Sequence, residues 1–199
     1  MGKPFFEVFP SLNLERKVRD IMEQTTVEKV TATKRKDFLR IYLKSSRLIY
    51  KQDVWAAEKQ IKNQLFPNAN MTVKIYEKFE LSAQYTPEKL LDVYRDSILE
   101  ELREYSHVEY NTFKTAEITY PAPEKVHLIL EDTVIARSKE EELLRILEKI
   151  LVERCGFSVS LDASYKEAVS GKFAEDDELR LKLEVEQIAK RVAENAKQN

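Results

Sequence analysis

The sequence predicts an α+β fold made of two copies of one small unit, and three observations carry that reading. Apolar residues alternate over 38–44 and again over 157–163, the period-two pattern of a strand with one wet face. Stripes at helical spacing lie between such strands: Val54, Ala57, Ile61 and Leu65, then Leu143, Ile146, Leu147, Ile150 and Leu151. The spacing also repeats, with 31 positions from Tyr42 to Val73 and 30 from Ile129 to Val159. Each unit reads helix, β-hairpin, helix, strand. A hairpin followed by a helical crossover closes a mixed three-stranded sheet with helices on one face.

The elements follow in order. Residues 4–10 (PFFEVFP) crowd three Phe and one Val together. A short strand or arm packed on the first unit is expected, with an exposed aromatic docking surface as the alternative. Ser11 can cap a first helix lined by Leu14, Val18, Ile21 and Met22. Residues 26–33 and 38–44 make a hairpin whose turn is Lys34, Arg35, Lys36 and Asp37, the densest basic cluster of the chain. That tip reads as a solvated end that discourages edge-to-edge pairing, with phosphate contact by Lys34, Arg35, Lys36 and Arg40 as the second reading. A helix over 52–65 and a strand through Met71, Val73 and Ile75 complete the unit. Trp55 falls beside that helix's stripe and is expected in the core or between the units. The Gln64-Leu65-Phe66 triplet has the look of a clamp-binding peptide, but the helix stripe needs Leu65.

The second unit opens at Thr86-Pro87-Glu88, which supplies cap, first-position Pro and first-turn acid. Leu91, Tyr94, Ile98, Leu102 and Tyr105 form the buried face of its helix. Ala116, Ile118 and Tyr120 alternate as a strand, 121–124 turn the chain, and 126–130 form the next strand. A helix then opens at Ser138, which has the S-x-x-E spacing of a capping box with Glu141, and Gly156 ends it. This gives a first domain over 1–82, a second over 85–168, and a connector helix over 172–199 with Leu181, Val185, Ile188 and Val192 at heptad-like spacing.

Net charge is −2, but its distribution is uneven. Residues 1–80 carry 16 Lys or Arg against 10 Asp or Glu, and the remainder carries 17 against 25. The single Cys155 permits no disulfide within the chain. No apolar run reaches the length of a membrane span, so a cytoplasmic protein with no membrane partner is expected.

Much chemistry is missing. The three glycines, Gly2, Gly156 and Gly171, have the spacing of no phosphate-gripping loop, including the GXXG loop of KH domains. Cys155 reads as a buried, inert thiol, and His107 and His127 as structural or exposed residues without metal-ligand spacing. No catalytic residue, metal site or cofactor site is expected.

Five segments resemble one family: 3–10 (KPFFEVFP), 42–51 (YLKSSRLIYK), 64–75 (QLFPNANMTVKI), 84–111 (QYTPEKLLDVYRDSILEELREYSHVEYN) and 130–157 (LEDTVIARSKEEELLRILEKILVERCGF). They are similar to the N-terminal region of the PolC-type DNA polymerase III α subunit of Gram-positive bacteria, clostridial in look. The resemblance covers most of 1–168. It implies two domains, N-I and N-II, ahead of an OB-fold and the nuclease and polymerase parts of a longer enzyme. N-I of that family looks like the polymerase-binding domain of the clamp-loader τ subunit, a truncated KH-like fold, so both units are expected to be KH-like. The implied role is non-catalytic: tethering the polymerase to replisome proteins, τ above all. Weak contact with single-stranded DNA or primer-template through the basic first domain is the alternative.

Overall fold

The computed structural model describes residues 2–166; the connector helix expected over 172–199 lies outside them. The elements run β1 (Lys3–Pro4), α1 (Phe5–Val8), α2 (Arg16–Met22), β2 (Thr25–Ala32), β3 (Phe38–Ser45), α3 (Lys51–Leu65) and β4 (Thr72–Phe79). There follow α4 (Pro87–Tyr105), α5 (His107–Thr115), β5 (Glu117–Ala122), β6 (Lys125–Leu130), α6 (Val134–Glu148), a π-helical turn (Lys149–Arg154) and β7 (Ser160–Tyr165). They build two sheets, ordered β1-β2-β3-β4 and β5-β6-β7, so the α+β reading holds. Residues 2–164 pack as one compact unit.

The first sheet has four strands where three were expected, because Lys3 and Pro4 pair antiparallel with Val27 and Thr26. That pairing is held by the aromatic segment behind it. Phe5 and Phe9 are buried, with ring centroids 5.1 Å apart. The segment is thus a packed arm rather than an open aromatic surface. β2 and β3 are antiparallel with a bulge between Val27 and Lys29. β3 and β4 are parallel, from Phe38 opposite Thr72 to Ser45 opposite Phe79. One face carries Leu39, Ile41, Leu43, Val73, Ile75 and Phe79, all buried. Val54, Ala57 and Ile61 of α3 and Val18 and Met22 of α2 complete that core.

Ser11 does not cap the first full helix. α2 starts five residues later, after Glu15, with no side-chain cap. The intervening chain is held elsewhere: the Gln64 side chain accepts from Asn13 N–H at 2.8 Å and donates to Asn13 C=O at 2.6 Å. Gln64 is therefore a tie within the fold.

In the second half Thr86 and Pro87 open α4 as the sequence predicts, with Thr86 Oγ1 accepting from Lys89 N–H at 3.3 Å. Leu91, Tyr94, Ile98 and Leu102 are buried, but Tyr105 is exposed. The helix stops at Ser106, whose hydroxyl caps a separate helix α5 that the sequence reading lacked. Its buried residues are Glu109 and Phe113, too few apolar positions to make a stripe. β5 and β6 are antiparallel. Ser160 N–H donates to Glu124 C=O at 2.9 Å, and His127 meets both Asp162 and Ser164, so β7 runs alongside β6 in the same direction.

The helix between them opens four residues earlier than expected. Thr133, in extended backbone at φ −126° and ψ 152°, accepts from Ala136 N–H and is the cap of α6. Ser138 is already inside the helix and donates to Ile135 C=O at 2.8 Å. Thr133→Ala is therefore expected to cost about 1 kcal/mol of stability, and Ser138→Ala under about 0.5 kcal/mol. Urea denaturation of both variants checks this, and equal losses would return the cap to Ser138. Gly156 ends the turn at φ 76°, as expected, with its N–H on Val152 C=O at 3.0 Å.

Candidate functional site

Three places in the described residues concentrate polar or aromatic side chains. The first is the joint between the two halves. Lys51 opens α3 and Glu77 lies on β4; Glu101 lies on α4 and Arg154 closes the π-helical turn. Lys51 Nζ is 2.7 Å from Glu77 Oε1 and 3.5 Å from Glu101 Oε1. The Arg154 guanidinium grips both oxygens of Glu101 at 2.7 and 2.8 Å and stands 3.4 Å from Glu77. The Glu77 side chain is 1% exposed. Burial raises the Glu101 carboxyl, but hydrogen bonds and charge from Arg154, with Lys51, outweigh it and hold the group below the ordinary carboxylate range. Neutral contacts reinforce the joint. Lys51 N–H donates to Ser97 Oγ at 2.9 Å, and Tyr94 Oη donates to Ile49 C=O at 2.7 Å. The Phe79 and Tyr94 rings meet edge to face at 5.9 Å. A cleft of about 700 Å3 runs along the outer edge of β4 beside this cluster, with Trp55, Tyr42, Tyr76 and Tyr105 among its walls. Trp55 is half-buried there. Deeper in, Glu58 accepts from Ile75 N–H at 2.8 Å, covering a free donor on the edge strand.

The second place is the open face of the first sheet. The pairing register sets its side chains in rungs across the strands: Lys29, Tyr42 and Tyr76; Thr31, Arg40 and Lys74; Thr26, Lys44 and Lys78. Residues paired directly share a face. The Tyr42 and Tyr76 rings stack at 5.3 Å, 20° from parallel, and Tyr76 is 45% exposed. The Arg40 guanidinium lies 4.8 Å above the Phe38 ring. The sequence singled out Lys34, Arg35, Lys36 and Arg40. The first three form the exposed hairpin tip, with Lys36 in left-handed backbone at φ 55° and Thr33 Oγ1 accepting from Asp37 and Phe38 N–H. Arg40 stands apart from them, one rung up the face. The Tyr pair was missed, although both strands alternate aromatic and basic residues on one parity: Phe38, Arg40, Tyr42, Lys44 and Lys74, Tyr76, Lys78. Only the parallel register shows that the two series adjoin.

The third place is on the second sheet. His127 Nδ1 is 2.6 Å from Asp162 Oδ1, and its Nε2 is 2.8 Å from Ser164 Oγ. The connectivity is that of an acid–base–nucleophile relay. Yet Asp162 is 45% exposed at its side chain and shared with Lys125 Nζ at 2.7 Å. The three sit on adjacent strands as a cross-strand tie between β6 and β7. His107 is exposed at the start of α5. Cys155 is buried, and burial pushes its thiol up to about 12, so it is a poor nucleophile. Among the described residues no group of His, Cys, Asp and Glu could hold a metal ion, and no helix is long and apolar enough to cross a membrane.

Comparison with known proteins bears on the half that carries the aromatic-basic face. Neither a search of curated proteins nor one of solved structures returned a match. Residues 4–75, from β1 to the middle of β4, match the family model described as DNA polymerase III polC-type N-terminus I.

Proposed function

We propose that this chain is the non-catalytic N-terminal interaction region of a replicative DNA polymerase, and that it tethers the polymerase to the clamp loader through the τ subunit in the bacterial cytoplasm. The family match over residues 4–75 carries the reading. A domain of a replicative polymerase that contributes no catalytic group of its own serves the enzyme by what it holds. Under this reading the first domain over 1–82 is N-I, of KH-like descent, and the second over 85–168 is N-II. The longer parent enzyme performs nucleotidyl transfer and 3′–5′ editing.

The test is binding of the purified 199-residue chain to purified τ, immobilised, at physiological salt. Saturable, reversible binding is the expected result. If τ fails to bind and no other purified replisome component binds either, the reading is wrong.

A further inference from the structure

We infer that the open face of the first sheet binds single-stranded nucleic acid, with unpaired bases stacking on the Tyr42–Tyr76 pair and phosphates following Lys29, Arg40 and Lys78. The inference stands on the geometry of that face and does not depend on the tethering role.

The rings offer a stacking platform for bases rather than a grip on phosphate. Tyr42 and Tyr76 are side by side on adjacent strands, near parallel, and Tyr76 turns an exposed flank outward. A third planar group adds to such a stack at small cost, because the protein rings are already ordered. Stacking of this kind accepts any base, since every base has a π face. The cleft of about 700 Å3 beside Tyr76 leaves room for bases to turn in toward the sheet edge, a volume within the roughly 300–1,000 Å3 of ligand sites.

Charge selects the class of ligand. Glu28 and Glu80 engage Lys44, and Glu58 engages Lys74. Lys29 and Lys78 have no carboxylate partner among the described residues, and Arg40 is held over Phe38 rather than paired to an acid. Past Arg40 the same face runs into the exposed Lys34–Arg35–Lys36 tip. Eight-residue strands span about 26 Å, so the cations line a path several nucleotides long. The face offers few aliphatic side chains: its central rungs are Thr, Lys, Arg and Tyr. A protein partner that buries an apolar patch is not what such a surface fits. Duplex is a poor fit as well, because rings standing on the sheet can stack only with bases already free of their partners.

The test is fluorescence anisotropy of labelled oligothymidylate titrated with the full 199-residue chain at low salt. Saturable binding that weakens with salt is expected, with a log–log slope of roughly −0.7 per phosphate engaged. Tyr76→Ala should weaken it roughly tenfold or more, while Tyr76→Phe retains it. Lys29→Ala and Lys78→Ala should each flatten the salt slope by roughly 0.7. Lys59→Ala, on the exposed side of α3, should change nothing. Circular dichroism and melting confirm that each variant folds. An abasic oligonucleotide of equal length should bind more weakly than oligothymidylate, and duplex likewise. Absent binding, equal affinity for the abasic or duplex probe, or a folded Tyr76→Ala variant with unchanged affinity would each overturn the inference. Failure here leaves binding to τ untouched, and failure of τ binding leaves this result standing.

Discussion

Arg154→Leu is expected to cost about 3–5 kcal/mol of folding stability, because it breaks a buried charge cluster on one side only. In the native chain two cations face two carboxylates across the joint: Lys51 and Arg154 against Glu77 and Glu101. Leucine fills much of the space but leaves Glu77, which is 1% exposed, sharing Lys51 with Glu101. A buried carboxylate short of a partner is costly whatever replaces the arginine stem. Adding Glu77→Gln to Arg154→Leu should restore part of the loss, since it removes the excess charge and keeps the shape. For a chain of this size the single variant should melt roughly 10 °C below wild type. Urea denaturation of the two variants and wild type decides it. A loss under about 1 kcal/mol would show that water reaches the cluster.

The same cluster sets a pH dependence. Glu101 titrates below its ordinary 4.5 in the folded chain, since Arg154 outweighs the opposing effect of burial. A depressed carboxylate contributes stability that is complete above the unfolded value and is lost as pH falls through the folded one. Wild type should therefore lose stability on acidification below about 4.5, and Arg154→Leu should lose less over the same interval because much of that contribution is already gone.

The fold was legible wherever one period ruled a segment. The stripe Val54, Ala57, Ile61 and the alternation around Ile41 are local signals, and both gave elements within a residue or two of the observed ends. Gly156 was legible because left-handed backbone favours one residue type. The capping box at Ser138 misled because S-x-x-E is a local pattern, whereas the cap residue must itself be extended, and Thr133 is. α5 was hidden by composition: a helix whose buried residues are one Glu and one Phe shows no periodic stripe. A short strand or packed arm was legible in the aromatic crowding of 4–10, but two residues carry no period, so the pairing of Lys3 and Pro4 with β2 as a fourth strand was not. The proposed binding face was half legible. Charge density picked out Lys34, Arg35, Lys36 and Arg40 from sequence alone. Tyr42 and Tyr76 are 34 positions apart, and only strand pairing puts their rings in contact. The ion cluster at the joint was invisible for the same reason, since its four members come from four different elements.

Tyr94→Ala is the other substitution with a large expected effect, about 3–5 kcal/mol. Tyr94 is wholly buried and is the largest of the fully buried side chains. Its ring packs against Phe79 of β4 and against Tyr50, and its hydroxyl donates to Ile49 C=O, so one side chain on α4 fixes the segment that leads into α3. That segment delivers Lys51 to the charge cluster. Removing the ring leaves a cavity and an unsatisfied carbonyl together, while Tyr94→Phe removes only the hydroxyl and should cost about 1 kcal/mol. Because Tyr94 and Arg154 both act on Lys51, their losses should not add when combined. Unfolding followed by Trp55 fluorescence, which reports on α3, and by far-ultraviolet circular dichroism should show coincident transitions in wild type and shift together in Tyr94→Ala. A Trp55 transition that stays at its wild-type midpoint while the dichroism shifts would mean that the two halves unfold independently. The core shared through Phe79 and Tyr94 would then not be what holds them together.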